Sequence, residues 1–254
     1  MTTSASLGAI TAWLDSYLKI RELPDYDGAV NGLQVENSGW VTRVVAAVDG
    51  SLESIQAAAR QRGTLLVVHH GLLWDGNRPV TERRYRRLKA ALEGDVAVYS
   101  AHLPLDAHPE VGNNVLLAGR LGLAISGPFG RYKDLDVGVH GVLEKDREVL
   151  TRELGDLLGH PAQLIAGGPQ RTKRVALVSG GAGSSVVEAA ARGCDTYITG
   201  EGAHHTWFDA MEGGVNLIYA GHWATETLGV KALAEKVSRQ FEVPWEFHSQ
   251  PTGL

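Results

Sequence analysis

The chain has 254 residues, of which 44% are hydrophobic and 21% are charged, and its formal net charge is −5 at pH 7. This composition is typical of a globular protein with a sizeable core, and the acidic balance disfavours a dedicated nucleic-acid binder. The single cysteine, Cys194, excludes an internal disulfide and a Cys-rich zinc site. The sequence shows neither a signal-peptide pattern nor an apolar run long enough to cross a membrane, so we expect a cytoplasmic protein.

Apolar periodicity predicts alternating helices and strands along the first half of the chain. Leu7, Ile10, Leu14 and Leu18 lie on one face of a helix predicted over 7–20. The elements predicted after it are a strand over 44–48, a helix over 52–60 that Ser51 caps, a strand over 65–68, a helix over 81–93, a strand over 96–100 and a helix over 111–121.

The second half of the chain repeats this alternation. The elements predicted there are a strand over 137–143, a helix over 147–158, strands over 162–165 and 175–178, a helix ending at 192 that Ser184 or Ser185 caps, strands over 197–199 and 217–219, and a helix over 225–241. Strands that alternate with helices predict an α/β architecture.

Parts of the two halves match each other at a constant spacing. The matching pairs are Ala57 with Ala189, Thr64 with Thr196, and His69 with Glu201. We infer an internal duplication that produces two similar α/β units facing each other, with a chance likeness of strand–helix–strand segments as the alternative. The predicted domains are residues 1–125, completed by the C-terminal segment at about 222–254, and residues 126–221.

Histidines and carboxylates follow several of the predicted strands. Two segments share the pattern Tyr-x-x-His-x-x-x-carboxylate, one from Tyr99 to Asp106 and the other from Tyr219 to Glu226. In α/β sheets, ligand sites form at the carboxyl ends of strands. We therefore expect these side chains to converge, although any single histidine is more often a surface or core residue. The candidate metal ligands are His69, His70, His102, Asp106, His222 and Glu226.

Imidazole and carboxylate donors without thiolate suit zinc, iron, manganese or cobalt. Six donors exceed what one catalytic ion needs, whereas two neighbouring ions would use them all. Because adjacent strand residues point to opposite faces, we expect His69 and His70 to serve different ions, with Asp106 or Glu226 as the bridge. Pro104 predicts a loop after His102, and Glu226 is predicted in the first turn of the last helix, near the positive end of its dipole.

Two further features have a functional and a structural interpretation. Glu201 is a candidate catalytic residue that acts as a general base on water, or it orients a ligand histidine through the second ring nitrogen. The glycine-rich segment from Ser179 to Ser184 offers backbone N–H groups to a phosphate. Because it lacks the Gly-Lys-Ser/Thr ending of a P-loop, a plain tight turn is favoured.

The predicted helix over 81–93 begins with a basic segment. It carries Arg83, Arg84, Arg86 and Arg87, which could attract nucleotide phosphates or nucleic acid to the mouth of a cavity. A solvated helix face is the favoured interpretation. Trp74 and Trp223 each lie within four residues of a candidate ligand and could stack on a planar substrate, with core or subunit packing as the default.

These motifs resemble those of the Nif-three-like family of dinuclear-metal proteins, whose members are called GTP cyclohydrolase I type two homologues. The matching segments span roughly residues 24–240 in the order of the family. They are Asn31-Gly-Leu-Gln-Val35, Val67-Val-His-His-Gly71, His102-Leu-Pro-Leu-Asp106-Ala-His-Pro109, Gly112-Asn-Asn114, Ile198-Thr-Gly-Glu201 and Gly221-His222-x-x-Thr225-Glu226.

The resemblance implies that the six candidate residues hold two divalent metal ions per subunit, of zinc, iron or manganese. It also implies a toroidal homohexamer with the metal sites facing an internal cavity. His204 and His205 depart from the pattern of some members, so their relation to the metals stays open.

The sequence therefore predicts a dinuclear metal-dependent hydrolase of a small molecule, with a nucleotide as the substrate that the family name suggests. Ring hydrolysis of GTP is the specific reaction that this name implies. A metal-dependent phosphoesterase and a non-enzymatic metal-binding or interaction scaffold are the alternatives. No membrane or nucleic-acid partner is expected.

Overall fold

The computed structural model of the chain describes residues 4–74 and 76–254. The chain forms two compact units. The first runs to Leu105 and includes Gly229–Gln250, and the second comprises Asp106–Leu228 with Pro251–Leu254. The domain boundary predicted at residue 125 placed the helix near 113–121 in the first unit. In the structure, Leu117 and Leu121 of this helix pack in the core of the second unit.

Helices and strands alternate along the described chain. In chain order they are β1 (Ala5–Ser6), α1 (Leu7–Tyr17), β2 (Gly32–Val35), β3 (Trp40–Val41), β4 (Arg43–Asp49), α2 (Leu52–Ala58), β5 (Thr64–His70), α3 (Glu82–Gly94), β6 (Val96–Ser100), α4 (Leu103–Asp106), α5 (Asn113–Leu121), β7 (Ala124–Tyr132), β8 (Leu135–Asp146), α6 (Arg147–Leu158), β9 (Gln163–Ala166), β10 (Arg171–Leu177), a 3-10 helix (Gly183–Ser185), α7 (Val186–Ala191), β11 (Thr196–Thr199), α8 (Thr206–Gly213), β12 (Asn216–Tyr219), α9 (His222–Thr225), α10 (Thr227–Phe241) and β13 (Trp245–Phe247). The predicted α/β class is confirmed.

A five-stranded sheet in the order β13-β4-β5-β6-β2 forms the centre of the first unit. Strands β13, β4, β5 and β6 are parallel to one another, and β2 is antiparallel to β6. Nearly every residue of β4, β5 and β6 is buried, which explains their continuous apolar runs. The register pairs Asp49 with His70 and Val68 with Ser100, so the carboxyl ends of these three strands lie at one edge.

A six-stranded mixed sheet in the order β7-β8-β10-β11-β12-β9 forms the centre of the second unit. Strands β10, β11 and β12 are parallel to one another, and β7, β8 and β9 join the sheet antiparallel. The pairing of Val175 with Thr196 in this sheet corresponds to that of Arg43 with Thr64 in the first unit. Arg43 and Thr64 are each separated from their counterparts, Val175 and Thr196, by the same number of residues that separates Ala57 from Ala189. The two strands therefore pair in the same register in both of the matching segments.

Ser51 caps α2 as predicted, since its hydroxyl accepts from the backbone of Ser54 while the Ser54 hydroxyl accepts from the backbone of Ser51. The predicted loop at Pro104 is wrong, because Leu103–Asp106 is a short helix. Proline is tolerated in the first turn of a helix, where its missing N–H would have no partner. Among the described residues, no helix combines the length and apolar character that a bilayer crossing requires.

The last helix begins later than predicted. Glu226 has φ −105 and ψ 3 and separates α9 from α10, so it follows the short helix that starts at His222 instead of opening the long one. The segment at Ser184 and Ser185 is a 3-10 helix, and α7 starts at Val186 without a side-chain cap.

Candidate functional site

Three histidines of the first unit lie together at the carboxyl edge of its sheet. His69 and His70 are the last residues of β5, and His102 follows the neighbouring strand β6. The ring centroid of His69 lies 4.8 Å from that of His70 and 4.9 Å from that of His102. One ligand nitrogen of each ring lies within 4.8 Å of the others, so the three side chains could hold a metal ion. His69 and His70 therefore lie close enough to share one ion, although they are adjacent residues of β5.

Each of these three imidazoles has an acceptor at Nδ1. The partners are Ala101 O at 2.9 Å from His69, Asp49 Oδ1 at 2.9 Å from His70, and Asp25 Oδ1 at 2.8 Å from His102. Carbonyl and carboxylate oxygens only accept hydrogen bonds, so Nδ1 carries the proton in each neutral ring and Nε2 carries the lone pair. Acceptors at the second nitrogen orient histidine ligands in metal sites. This donor set therefore fits a divalent ion that binds imidazole.

Asp25 connects the segment before β2 to the loop that carries His102. Its Oδ2 accepts from Asn31 Nδ2 at 2.8 Å and from Leu103 N at 3.0 Å, and Asn31 Oδ1 accepts from His102 N at 2.8 Å. Burial raises the pKa of Asp25, but the hydrogen bonds and charge of His102, with the bonds from Asn31 and Tyr26 N, outweigh it and hold the pKa below its usual value. Asp25 is therefore an ionised, fixed acceptor for His102.

In the second unit, a single histidine lies between two carboxylates. His222 Nδ1 lies 2.8 Å from Glu201 Oε1, and His222 Nε2 lies 3.2 Å from Glu226 Oε1. Burial alone would lower the pKa of His222, but Glu226 and Glu201 outweigh burial and raise this pKa to about 9. The contact places Glu201 at the position of an orienting group for His222, which is one of its two predicted interpretations.

The glycine-rich segment after β10 packs against this histidine and its carboxylate. Gly180 has φ +70, and a Cβ there would collide with Glu226 Oε1. The Gly180 carbonyl accepts from Gly200 N and Glu201 N, and Gly180 N donates to Thr225 Oγ1 at 3.0 Å. The segment therefore forms a tight turn that positions Glu201 and the end of α9.

Asp106 is buried in the second unit. Its Oδ1 accepts from Asn113 Nδ2 at 2.8 Å and from Ser179 Oγ at 3.1 Å. Asn114 Oδ1 accepts from Ser179 N at 2.7 Å, so the adjacent asparagines of α5 hold both Asp106 and the residue before the glycine turn. These bonds fix the orientation of the carboxylate.

His204 and His205 lie just before α8 and are exposed. His204 packs its ring against Phe208. Neither histidine belongs to a group that could hold a metal in the part of the chain that the structure describes.

Asp25 and Asp49, the carboxylates that contact His102 and His70, are not among the residues predicted from the sequence. Asp49 ends β4 beside His70, so the rule for strand ends that selected the histidines could also have selected it. Asp25 lies in a turn far from His102 in sequence, and no local pattern connects the two.

Comparisons with known proteins agree with the fold and with these motifs. Residues 5–252 match the family model Duf34/NIF3 (NGG1p interacting factor 3). A protein of Deinococcus radiodurans named GTP cyclohydrolase 1 type 2 homolog is 42% identical over 249 residues, covering 96% of this chain and 93% of that protein. A Pyrococcus abyssi protein of the same name is also 42% identical, over 250 residues, covering 96% of this chain and 98% of its own length.

The fold of this chain is also similar to that of a protein whose structure has been solved. The crystal structure of a protein from Thermus thermophilus superposes with a TM-score of 0.89 at 38% sequence identity, and the match covers 98% of this chain and 100% of that one. The shared fold thus extends over both units.

Proposed function

The chain belongs to the Duf34/NIF3 family, and from this premise we propose that it is a metal-dependent hydrolase of a small molecule. The proposed ligands of two divalent ions are His69, His70, His102, Asp106, His222 and Glu226. The observation that carries the proposal is that every one of the four histidines has an acceptor at Nδ1, which makes Nε2 the nitrogen that would bind a metal ion. In the metal-free chain Nε2 of His222 contacts Glu226 Oε1, and a metal ion would replace the proton between them.

Two divalent ions held by such donors would supply Lewis-acid activation of water and substrate. The residues of the chain supply orientation. Asp25 and Asp49 hold the protons of His102 and His70 at Nδ1, and Asn113 and Ser179 fix the carboxylate of Asp106. We assign Glu201 the role of a positioning residue for His222, because its carboxylate lies on Nδ1 of that ring.

The reaction that the names of the relatives suggest is ring hydrolysis of GTP. Purified protein with a measured metal content should release formate from GTP, and the release should disappear in His102→Ala and Glu226→Ala. A panel of phosphate monoesters and diesters tests the phosphoesterase alternative in parallel. Stoichiometric metal without turnover of any of these compounds would contradict a hydrolase of these classes and favour a metal-binding scaffold.

The family resemblance also supports the finer architecture of the proposal, in which two similar units face each other around the two ions and six chains form a ring. Light scattering coupled to size-exclusion chromatography should give about six times the 27.2 kDa mass of the chain. A monomeric or dimeric mass at working concentration would contradict the ring. Metal content measured on the same fractions tests the ligand set separately.

A further inference from the structure

A cavity of about 320 Å³ lies in the first unit between the carboxyl edge of the sheet and helix α3. His70 and Trp74 line it on one side, and three arginines of α3 line it on the other. Leucines complete its apolar wall. The lining arginines are Arg83, Arg84 and Arg87, whereas Arg86 of the same helix does not line the cavity. Arg83 and Arg86 are both exposed.

The position of these arginines is unfavourable for the helix itself. Arg83 and Arg87 are four residues apart and Arg84 and Arg87 three apart, so their like charges share one face of α3. Arg83 and Arg84 also lie in the first turn, where the helix dipole disfavours cations. Sites that break such local rules are often functional, and a bound anion would remove both penalties.

The charge of the cavity is positive. Asp49 is the one acidic residue among the lining residues that the structure describes, and its Oδ1 lies on Nδ1 of His70. Arg84 and Arg87 are half-buried, and Arg84 Nη1 also donates to Gly76 O at 3.1 Å. Partly buried guanidinium groups are less screened by salt than surface charges, and their planar donors match the oxygens of phosphate.

Trp74 adds an aromatic surface. Its ring makes edge contacts with His102, at a centroid distance of 4.8 Å, and with His70, at 6.1 Å. The cavity thus combines cations, an aromatic ring and a proposed metal ligand. Its volume lies at the lower end of the range of small-molecule sites.

We propose that this cavity binds the phosphate of a phosphorylated small molecule that also carries a ring, with Arg83, Arg84 and Arg87 as the phosphate ligands and Trp74 beside the ring. The inference rests on the proposed function, since it places the substrate next to His70. It goes beyond the proposed function by assigning the phosphate to named side chains of α3.

The test compares GMP with guanosine, two probes that differ only in the phosphate. Binding to the purified, metal-loaded full chain is measured by calorimetry for the wild type, Arg83→Gln/Arg87→Gln and the matched control Arg86→Gln, with metal content determined for each. The wild type should bind GMP more tightly than guanosine. The double variant should lose about tenfold or more in GMP affinity with guanosine binding unchanged, whereas Arg86→Gln should change it by less than about twofold.

Three outcomes would overturn the inference. They are equal affinities of the wild type for GMP and guanosine, equal effects of the double variant and Arg86→Gln, and tighter binding of a short single-stranded RNA than of GMP. Failure of the proposed function gives a different result, namely phosphate-dependent binding that the arginine variants weaken but no hydrolysis of any tested compound. Turnover of GTP with a KM that the arginine substitutions leave unchanged would instead reject the inference and keep the hydrolase.

Discussion

In the first unit three imidazoles lie together, whereas in the second unit a single imidazole lies between two carboxylates. In the first unit, the side chain of Asp25, which orients His102, is only 6% exposed, whereas that of Asp49, which orients His70, is 38% exposed. In the second unit, the side chain of Glu201 is 45% exposed. Asp25 therefore holds His102 more rigidly than Glu201 holds His222, while the electrostatic attraction for a proton is concentrated on His222, whose pKa is raised to about 9.

The largest expected effect is the loss of a ligand from the histidine cluster. His102→Ala should lower metal affinity more than about 100-fold, since even loss of an orienting partner lowers metal affinity about 10–100-fold. Metal content after dialysis, measured by mass spectrometry, checks this. The exposed His204→Ala is the control and should keep the wild-type content; full metal occupancy in His102→Ala would remove this histidine from the site.

Substitution of the orienting carboxylates sharpens the contrast between the units. Asp25→Asn should lower metal affinity about 10–100-fold, because the new amide replaces an acceptor for His102, Asn31 and Leu103 N. Glu201→Gln should have a smaller effect, because the exposed Glu201 is more easily replaced by water. Competition with a coloured chelator measures both. An equal or larger effect at Glu201 would invert the proposed difference in rigidity.

The pH dependence of the metal-free protein tests the charge on His222. Its pKa of about 9 in the folded chain lies above the ordinary value of 6.5. Its contribution to stability is therefore fully present below pH 6.5 and is lost as pH rises through 9. The free energy of unfolding of EDTA-treated protein should fall by up to about 2–3 kcal/mol over this window, as measured by urea denaturation.

The comparison variant for the pH test is His222→Gln, which has no titrating group at this position. Its stability should vary less over the same pH window. A wild-type profile that is flat between pH 6.5 and 9, or that rises, would show that the two carboxylates do not hold a proton on His222.

A smaller effect is expected at the glycine turn of the second unit. Gly180→Ala should destabilise the protein by about 1–2 kcal/mol, because a non-glycine residue is strained at φ +70 and its Cβ would displace Glu226. Gly181→Ala is the matched control, since its Cβ would meet only an ordinary contact of 3.5 Å with His222. Thermal unfolding of the two variants measures the difference, and equal melting temperatures would contradict the packing argument.

The sequence predicted the histidines of the site better than their partners. His69, His70 and His102 follow parallel neighbouring strands, and the carboxyl ends of such strands meet whatever the rest of the fold. The contact of Asp25 with His102 was not predicted, because it depends on how the segment before β2 packs. The spacing of apolar residues along the sequence does not indicate that packing.

Some helices and strands were likewise predicted from the sequence, and others were missed. Strand β6 and helix α6 have the predicted limits, because their apolar patterns are regular and their ends carry clear signals. Strand β7 was missed because Gly127, Pro128 and Gly130 are turn signals within it. Its antiparallel pairing with β8, including a register shift between Ile125 and Gly127, accommodates these residues. Tertiary pairing therefore overrides local preference there.

The pairing of β13 with β4 determines when the first sheet becomes complete. Trp245–Phe247 hydrogen-bonds beside Val44–Ala46, although most of the chain separates the two segments. During translation the outer backbone groups of β4 therefore stay without this strand partner until residues 245–247 have left the ribosome. An exposed strand edge is a template for pairing with other chains, so the outer edge of β4 is open to association between nascent chains until β13 pairs with it.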